Sequence, residues 1–320
     1  MNQNILLVGP PRSGTTWAAK ILSVNKDVEY IHEPDNEKIN YAGFLRKQHL
    51  SRFPYLREDD NNDAYYHLFH NAVLGKSIKS GSRINLILFK LSGVDKYKIE
   101  ANLEQNFINN YPKIIVGEEL INVLENFSFY FKKKHRIRLI KSVHSIFSIP
   151  FLIKKISINP IIIIRHPASS ISSYIKLKLP DANRSFVKDE KLRKDFLENY
   201  VGKINDMKTI YEKMGVQIGI MHLVMKSFIE KYKLKFIYYE DIISDPIPRF
   251  EEIYDELHLE WNDRVEKRIM LSNKEGKGYE TNRISNEMKD VWKKRLSSLQ
   301  IDEIQKGYSI LSPGFYKDFE

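Results

Sequence analysis

Two short segments carry residue types suited to binding a phosphate-like anion. Near the amino terminus, Gly9-Pro10-Pro11-Arg12-Ser13-Gly14-Thr15-Thr16-Trp17 follows the apolar run Ile5 to Val8. A buried strand that turns through glycines into a helix aims backbone N–H groups at an anion from the helix's positive end. The hydroxyls of Ser13, Thr15 and Thr16 add donors, and Arg12 supplies a cation. The competing reading is an ordinary strand-to-helix turn with threonine caps. The second segment runs from Arg165-His166-Pro167 to Ser173-Tyr174, directly after the apolar Ile161 to Ile164. There an arginine stands at a strand end and a serine lies on the helix that follows, so a bidentate fork and a neutral hydroxyl can share one anion. The alternative is an arginine paired with a carboxylate beside a surface serine.

The first segment has the glycine spacing of a nucleotide-hydrolase phosphate loop, but Thr15 occupies the place of the phosphate-gripping lysine. The strand Ile161 to Ile164 likewise ends in Arg165 rather than a magnesium-holding aspartate, which disfavours metal-assisted ATP or GTP hydrolysis. A P-loop kinase or NTPase stays as the rival enzyme class. One hint toward it is Ile114-Ile115-Val116 followed by Gly117, Glu118 and Glu119.

Arg12-Ser13-Gly14-Thr15-Thr16-Trp17 resembles the phosphosulfate loop of sulfotransferases that use 3′-phosphoadenosine 5′-phosphosulfate (PAPS). The resemblance implies that Arg12, Ser13, Gly14, Thr15 and Thr16 bind the 5′-phosphosulfate, that Arg12 assists departure of the bridging oxygen, and that Trp17 lies against the adenine. Arg165 and Ser173 match the same family's 3′-phosphate motif, an arginine with a serine eight positions on. Tyr238-Tyr239-Glu240-Asp241, with Asp245-Pro246 after it, is similar to a further family segment. It implies Tyr239 near the adenine, while Glu240 and Asp241 are expected to brace the next helix. Val291-Trp292-Lys293 resembles the closing tryptophan helix, and Lys277 in the loop from Asn273 to Arg283 sits where relatives complete the 3′-phosphate site; a solvated lysine loop is the alternative. The implied reaction moves a sulfuryl group from PAPS to a hydroxyl or amine and releases 3′-phosphoadenosine 5′-phosphate (PAP), in line and without a required metal.

An acceptor hydroxyl needs a general base, and two positions compete. Glu33, next to His32, ends the second strand beside the phosphate loop, and an acid in this region is the base in several carbohydrate-sulfating relatives. Lys141-Ser142-Val143-His144 resembles the Lys-Thr-His or Lys-Ser-His segment of small-molecule enzymes, whose histidine is the base, but here the histidine is displaced by one residue. On a strand that displacement would turn His144 to the opposite face, so Glu33 is favoured. For both residues a purely structural role is the competing reading.

The elements that must position these groups form an α/β pattern. Strands are expected at Ile5 to Val8, Val28 to Ile31, Ile114 to Val116, Ile137 to Ile140, Pro160 to Arg165 and Lys235 to Tyr239. Helices are expected at Thr16 to Leu22, at Pro167 to Lys176, from Phe196 to Lys233 with breaks at Gly215 and Gly219, and at Pro246 to Leu257. Residues 35 to about 110 show weak periodicity and read as loops and irregular helices. The fold expected is one domain, 1–320, with a central parallel sheet flanked by helices, a P-loop-like loop after the first strand, and an acceptor-binding insertion at 35–135.

Composition narrows the partners. The chain has 51 Lys plus Arg against 41 Asp plus Glu, a formal charge of +10, and no cysteine. Zero cysteine removes disulfide scaffolds, thiolate nucleophiles and sulfur-ligated metals. The positive charge calls for an anionic partner. The run from Phe129 to Lys141 holds six cations and no acid, which keeps a nucleic-acid or membrane-binding module as an alternative and leaves room for peripheral membrane contact. No segment approaches the about 18 apolar residues of a membrane span. The reading is therefore a cytoplasmic enzyme with a small-molecule donor, a carbohydrate or other alcohol as acceptor, and no nucleic-acid partner.

Overall fold

The computed structural model describes residues 3–96, 99, 117–130, 137–177, 186–272, 289–317 and 319. In chain order the main elements are β1 (Gln3–Val8), α1 (Thr15–Leu22), β2 (Val28–His32), α2 (Tyr41–Arg46), α3 (Asp63–Val73), α4 (Arg83–Leu91) and α5 (Glu118–Tyr130). There follow β3 (Ile137–Lys141), α6 (Ile149–Ile156), β4 (Asn159–Ile164), α7 (Pro167–Lys176), α8 (Ile210–Tyr232) and β5 (Lys235–Tyr238). The last helices are α9 (Tyr239–Ser244), α10 (Pro246–Glu256), α11 (Asp263–Ser272), α12 (Val291–Arg295) and α13 (Ser298–Ser309). The five strands take the order β2-β3-β1-β4-β5 in one sheet, and the β2/β3, β1/β3 and β4/β5 pairings are all parallel. Helices fill the connections, as a parallel sheet requires. Contacts divide the chain into two compact units, Met1–Val8 with Lys26–Pro160 and Gly9–Asn25 with Ile161–Glu320.

In the first unit, β3 is buried along its whole length although its sequence is Ile-Arg-Leu-Ile-Lys. Parallel register explains how two cations survive there. Glu29 lies opposite Arg138, and their side chains meet at 3.0 Å. His32 lies opposite Lys141, and the ladder runs one residue further, with Glu33 N–H donating to the Lys141 carbonyl at 2.7 Å. That step sets the Glu33 carboxylate beside the Lys141 ammonium. The segment after residue 35 differs from the irregular region expected. It holds the regular helices α2, α3 and α4, each opened by a side-chain cap from Asn40, Asn62 or Ser82. The caps were the readable signal. The aromatic core of Tyr41, Phe44 and Phe89 hides the periodicity because short helices repeat an apolar stripe only twice.

In the second unit, α8 passes straight through Gly215 and Gly219, correcting the expected breaks. A Cβ at Gly215 would stand 2.2 Å from the Ile304 carbonyl oxygen, and one at Gly307 would stand 2.0 Å from that of Glu212. These glycines let α8 and α13 approach backbone to backbone, which stabilises the pair more than the propensity loss costs. The break falls earlier, before Thr209, which with Glu212 forms a capping box. The expected strand Ile114 to Val116, the run 131–136 and the loop 273–283 with Lys277 lie outside the described residues. Among the described residues no helix is long and apolar enough to cross a membrane.

Candidate active site

The anion-binding loop belongs to the second unit. Ser13 N–H donates to the Pro10 carbonyl at 3.0 Å, closing a turn, and Arg12 and Gly14 both take left-handed backbone, at φ 72° and 89°. Gly9 has no room for a side chain, since a Cβ would lie 2.3 Å from the Ile163 carbonyl oxygen. Gly14 stands at the N-cap of α1 with no side-chain cap; its carbonyl accepts from the Trp17 N–H at 3.0 Å, and the Thr15 and Thr16 N–H groups at the positive end of the helix have no partner among the described residues. No threonine side chain caps this helix. The Ser13 hydroxyl is buried without a hydrogen-bond partner among the described residues. A strained arginine, an uncapped helix start and an orphaned hydroxyl on one loop fit a bound anion.

The two segments singled out in the sequence are joined here by hydrogen bonds. Arg165, 5% exposed, donates from Nη1 to the Arg12 carbonyl at 2.7 Å and from Nε to Ser169 Oγ at 3.0 Å. Arg12 in turn donates from Nε to Ser173 Oγ at 3.1 Å. Ser173 thus touches Arg12, and Arg165 reaches the same loop through its backbone. The Arg165 guanidinium lies 4.3 Å over the Tyr239 ring, and a Cβ on Gly14 would meet that ring at 2.4 Å. Buried Tyr239 is a platform under both. Trp17 is half-buried, holds Ser272 Oγ through Nε1 at 2.9 Å, and meets Phe250 edge-to-face with ring centres 5.3 Å apart. Glu240 accepts from His166 N–H at 2.9 Å and from the Tyr316 hydroxyl at 2.7 Å, bracing the entry to α7 rather than the helix that follows it in sequence.

The first unit holds a cluster of acids and bases of its own. Its centre is the run Glu33-Pro34-Asp35-Asn36-Glu37, whose three carboxylates are all buried. Glu33 takes left-handed backbone at φ 42°, and its oxygens accept from Lys141 and, at 2.6 Å, from Asn36. Burial opposes its ionisation, but Lys141, with His144 and His32, outweighs that and holds the carboxyl well below the usual range. Glu37 is held low in the same way: burial is overcome by Lys47, His144 and Arg52. Its oxygens meet Lys47 Nζ at 3.2 Å and Arg52 Nε at 2.5 Å. Asp35 behaves oppositely; burial raises it beyond what Lys47 and the Ser142 hydroxyl, 2.6 Å away, can offset.

His144 is not on a strand. β3 ends at Lys141, and a single 3-10 turn, His144–Phe147, begins three residues later, so the one-residue displacement has no facing consequence. Ser142 Oγ accepts from the His144 N–H at 3.1 Å, while the ring stands against Phe53 with centres 5.2 Å apart. Nδ1 is buried without a hydrogen-bond partner and lies 3.7 Å from Glu37 Oε2. Nε2 has no hydrogen-bond partner among the described residues and is not among the buried unpartnered atoms. Burial pushes the imidazole down to about 3, so it is neutral at physiological pH. Sequence reasoning missed Glu37, Lys47 and Arg52. The only sequence sign was the alternation of three acids at 33, 35 and 37 beside a strand end.

A model of the Sulfotransferase family matches residues 4–263, most of the chain. The chain belongs to the sulfotransferase family. No curated protein matches this sulfotransferase at a significant level. Among solved structures it is similar to the sulfotransferase domain from the curacin biosynthetic pathway, at 14% identity and a TM-score of 0.46, covering 98% of each chain. It is also similar to the sulfotransferase domain from the Synechococcus PCC 7002 olefin synthase, at 13% identity and a TM-score of 0.39, covering 96% of this chain and 94% of that one. The family supports a sulfotransferase enzyme with a sulfo donor and an acceptor. The α/β sheet expected from sequence is the fold found.

Proposed function

We propose that this sulfotransferase transfers a sulfuryl group from PAPS to an acceptor hydroxyl. The observation that carries the reading is the hydrogen-bonded chain Arg165–Arg12–Ser173 beneath a loop with an unpartnered buried hydroxyl and an uncapped helix start. PAPS, when bound, supplies an activated sulfuryl group and a leaving phosphate. Ser13, Gly14, Thr15 and Thr16 hold the 5′ end through their N–H and hydroxyl donors. Arg12 stabilises charge on the leaving oxygen, and its preset left-handed backbone costs no reorganisation during the reaction. Arg165 and Ser173 take the 3′-phosphate, and the Trp17 ring takes the adenine. Tyr239 holds the Arg165 guanidinium flat and does not itself need to reach the base of the nucleotide.

Proton removal from the acceptor falls to His144 Nε2. Glu33 has both oxygens engaged by Lys141 and Asn36, whereas His144 presents an open nitrogen with a carboxylate behind the other one. With Nδ1 protonated toward Glu37, Nε2 carries the lone pair, and Glu37 stabilises the imidazolium as it forms. Apo separations of this kind shorten in reacting complexes. Glu33 instead neutralises and fixes the buried Lys141. A saccharide is the first acceptor to test.

The test is calorimetric and radiochemical. The purified protein should bind PAP more tightly than adenosine 5′-monophosphate and move label from radioactive PAPS to a hydroxyl of a sugar or other alcohol. Absence of PAP binding together with magnesium-dependent ATP turnover would establish the kinase or NTPase reading instead.

A further inference from the structure

The 31 residues from Ala64 to Val94 contain no Asp or Glu, yet carry Lys76, Lys79, Arg83 and Lys90. The structure makes α4 the exposed part of this stretch. Asn85, Leu88 and Phe89 are buried against the core, while Ile84 at 47%, Ile87 at 55% and Leu91 at 57% exposure stand on the outside at helical spacing. Leu86 and Leu74 are exposed as well, at 46% and 38%. Lys79, Arg83 and Lys90 are exposed beside them and enter no ion pair among the described residues. A nine-residue helix with an apolar core face normally turns a polar face to water. Here the outer face is apolar and cationic together, without an acid to neutralise it.

We propose that α4 docks this protein on an anionic lipid surface. The exposed Ile84, Ile87 and Leu91 would enter the boundary between headgroups and acyl chains, with Lys79, Arg83 and Lys90 on the phosphates. Charge selects this occupant over a second copy of the chain, because two such faces would set cation against cation. It also selects it over a neutral protein surface, which would leave three cations unmatched. The inference does not depend on the identity of the acceptor.

Full-length protein is sedimented with phosphatidylcholine vesicles, with and without phosphatidylserine, at low and high salt. Binding is expected only with phosphatidylserine and should fall as salt rises. Each cation near such a surface contributes about fivefold to partitioning, so Lys79→Gln/Arg83→Gln/Lys90→Gln together should lose about 100-fold. Ile87→Asp/Leu91→Asp should abolish binding while leaving PAP affinity and the circular-dichroism melt unchanged, which shows that the fold survives. Equal binding to both vesicle types, no binding to either, or retention of binding in the aspartate variant would overturn the proposal. So would gel filtration showing a dimer that the aspartate variant dissociates, or tighter binding to RNA than to the vesicles. Failure of PAP binding would instead strike the catalytic reading and leave the vesicle result standing.

Discussion

Replacing Arg165 by alanine separates the two jobs given to this residue. Its Nη1 holds the Arg12 carbonyl at 2.7 Å, its face covers Tyr239 at 4.3 Å, and the remainder of its fork is assigned to the 3′-phosphate. Loss of the first two contacts loosens the phosphate loop and weakens every ligand that uses it. Loss of the third is felt only by a ligand with a 3′-phosphate. A hydrogen bond to a charged group contributes about 1.5–3 kcal/mol, or about 10- to 150-fold in dissociation constant. Isothermal titration of Arg165→Ala with PAP and with adenosine 5′-monophosphate should therefore show both affinities falling, with PAP falling about 10- to 150-fold further. Ser169→Ala, which removes only the Nε partner at 3.0 Å, should leave the ratio of the two nearly intact. Equal losses for both ligands in Arg165→Ala would refute the 3′-phosphate assignment and leave Arg165 as a brace for the loop.

His144→Asn should lower kcat by about 100-fold or more with PAP affinity unchanged, and Glu37→Gln should lower it by about tenfold; full activity in His144→Asn with loss in Glu33→Gln would return the base to Glu33. Because His144 titrates near 3 and Glu33 lower still, kcat/KM should stay level between about pH 5.5 and 8, and a limb there that His144→Asn removes would show the imidazole charging in that range. Stability should fall on acidification for the same reason. Burial lowers His144 and His222 to about 3 and His166, aided by Arg165 and Lys293, to about 4, so below the ordinary 6.5 the unfolded chain binds protons that the folded chain refuses. Urea midpoints should drop steadily from about pH 6.5 toward 4, less steeply in His222→Gln. Gly307→Ala should cost about 1–3 kcal/mol in urea unfolding, since its Cβ would stand 2.0 Å from the Glu212 carbonyl oxygen; an unchanged midpoint would show that α8 and α13 can part.

Features whose cause is local are legible in the amino-acid order alone. Gly9 to Trp17 could be read as an anion loop because strand, turn and helix start are consecutive, and α7 because Pro167 opens it directly after an apolar strand. The parallel α/β class followed from apolar runs alternating with helical stretches. Tertiary structure decided what depends on pairing across long separations. Gly215 and Gly219 read as breakers because their propensity is local, whereas the Ile304 carbonyl and Leu311 side chain that make them favourable lie some ninety residues on. The same distance effect hid the acid–base cluster. Only parallel register brings Lys141 to Glu33, only the turn after β3 brings His144 toward Glu37, and only packing buries Lys47 and sets the half-buried Arg52 against that carboxylate. Burial raises all three neighbouring acids, and the cations then separate them: Lys141 holds Glu33 low and Lys47 with Arg52 holds Glu37 low, while Asp35 stays raised.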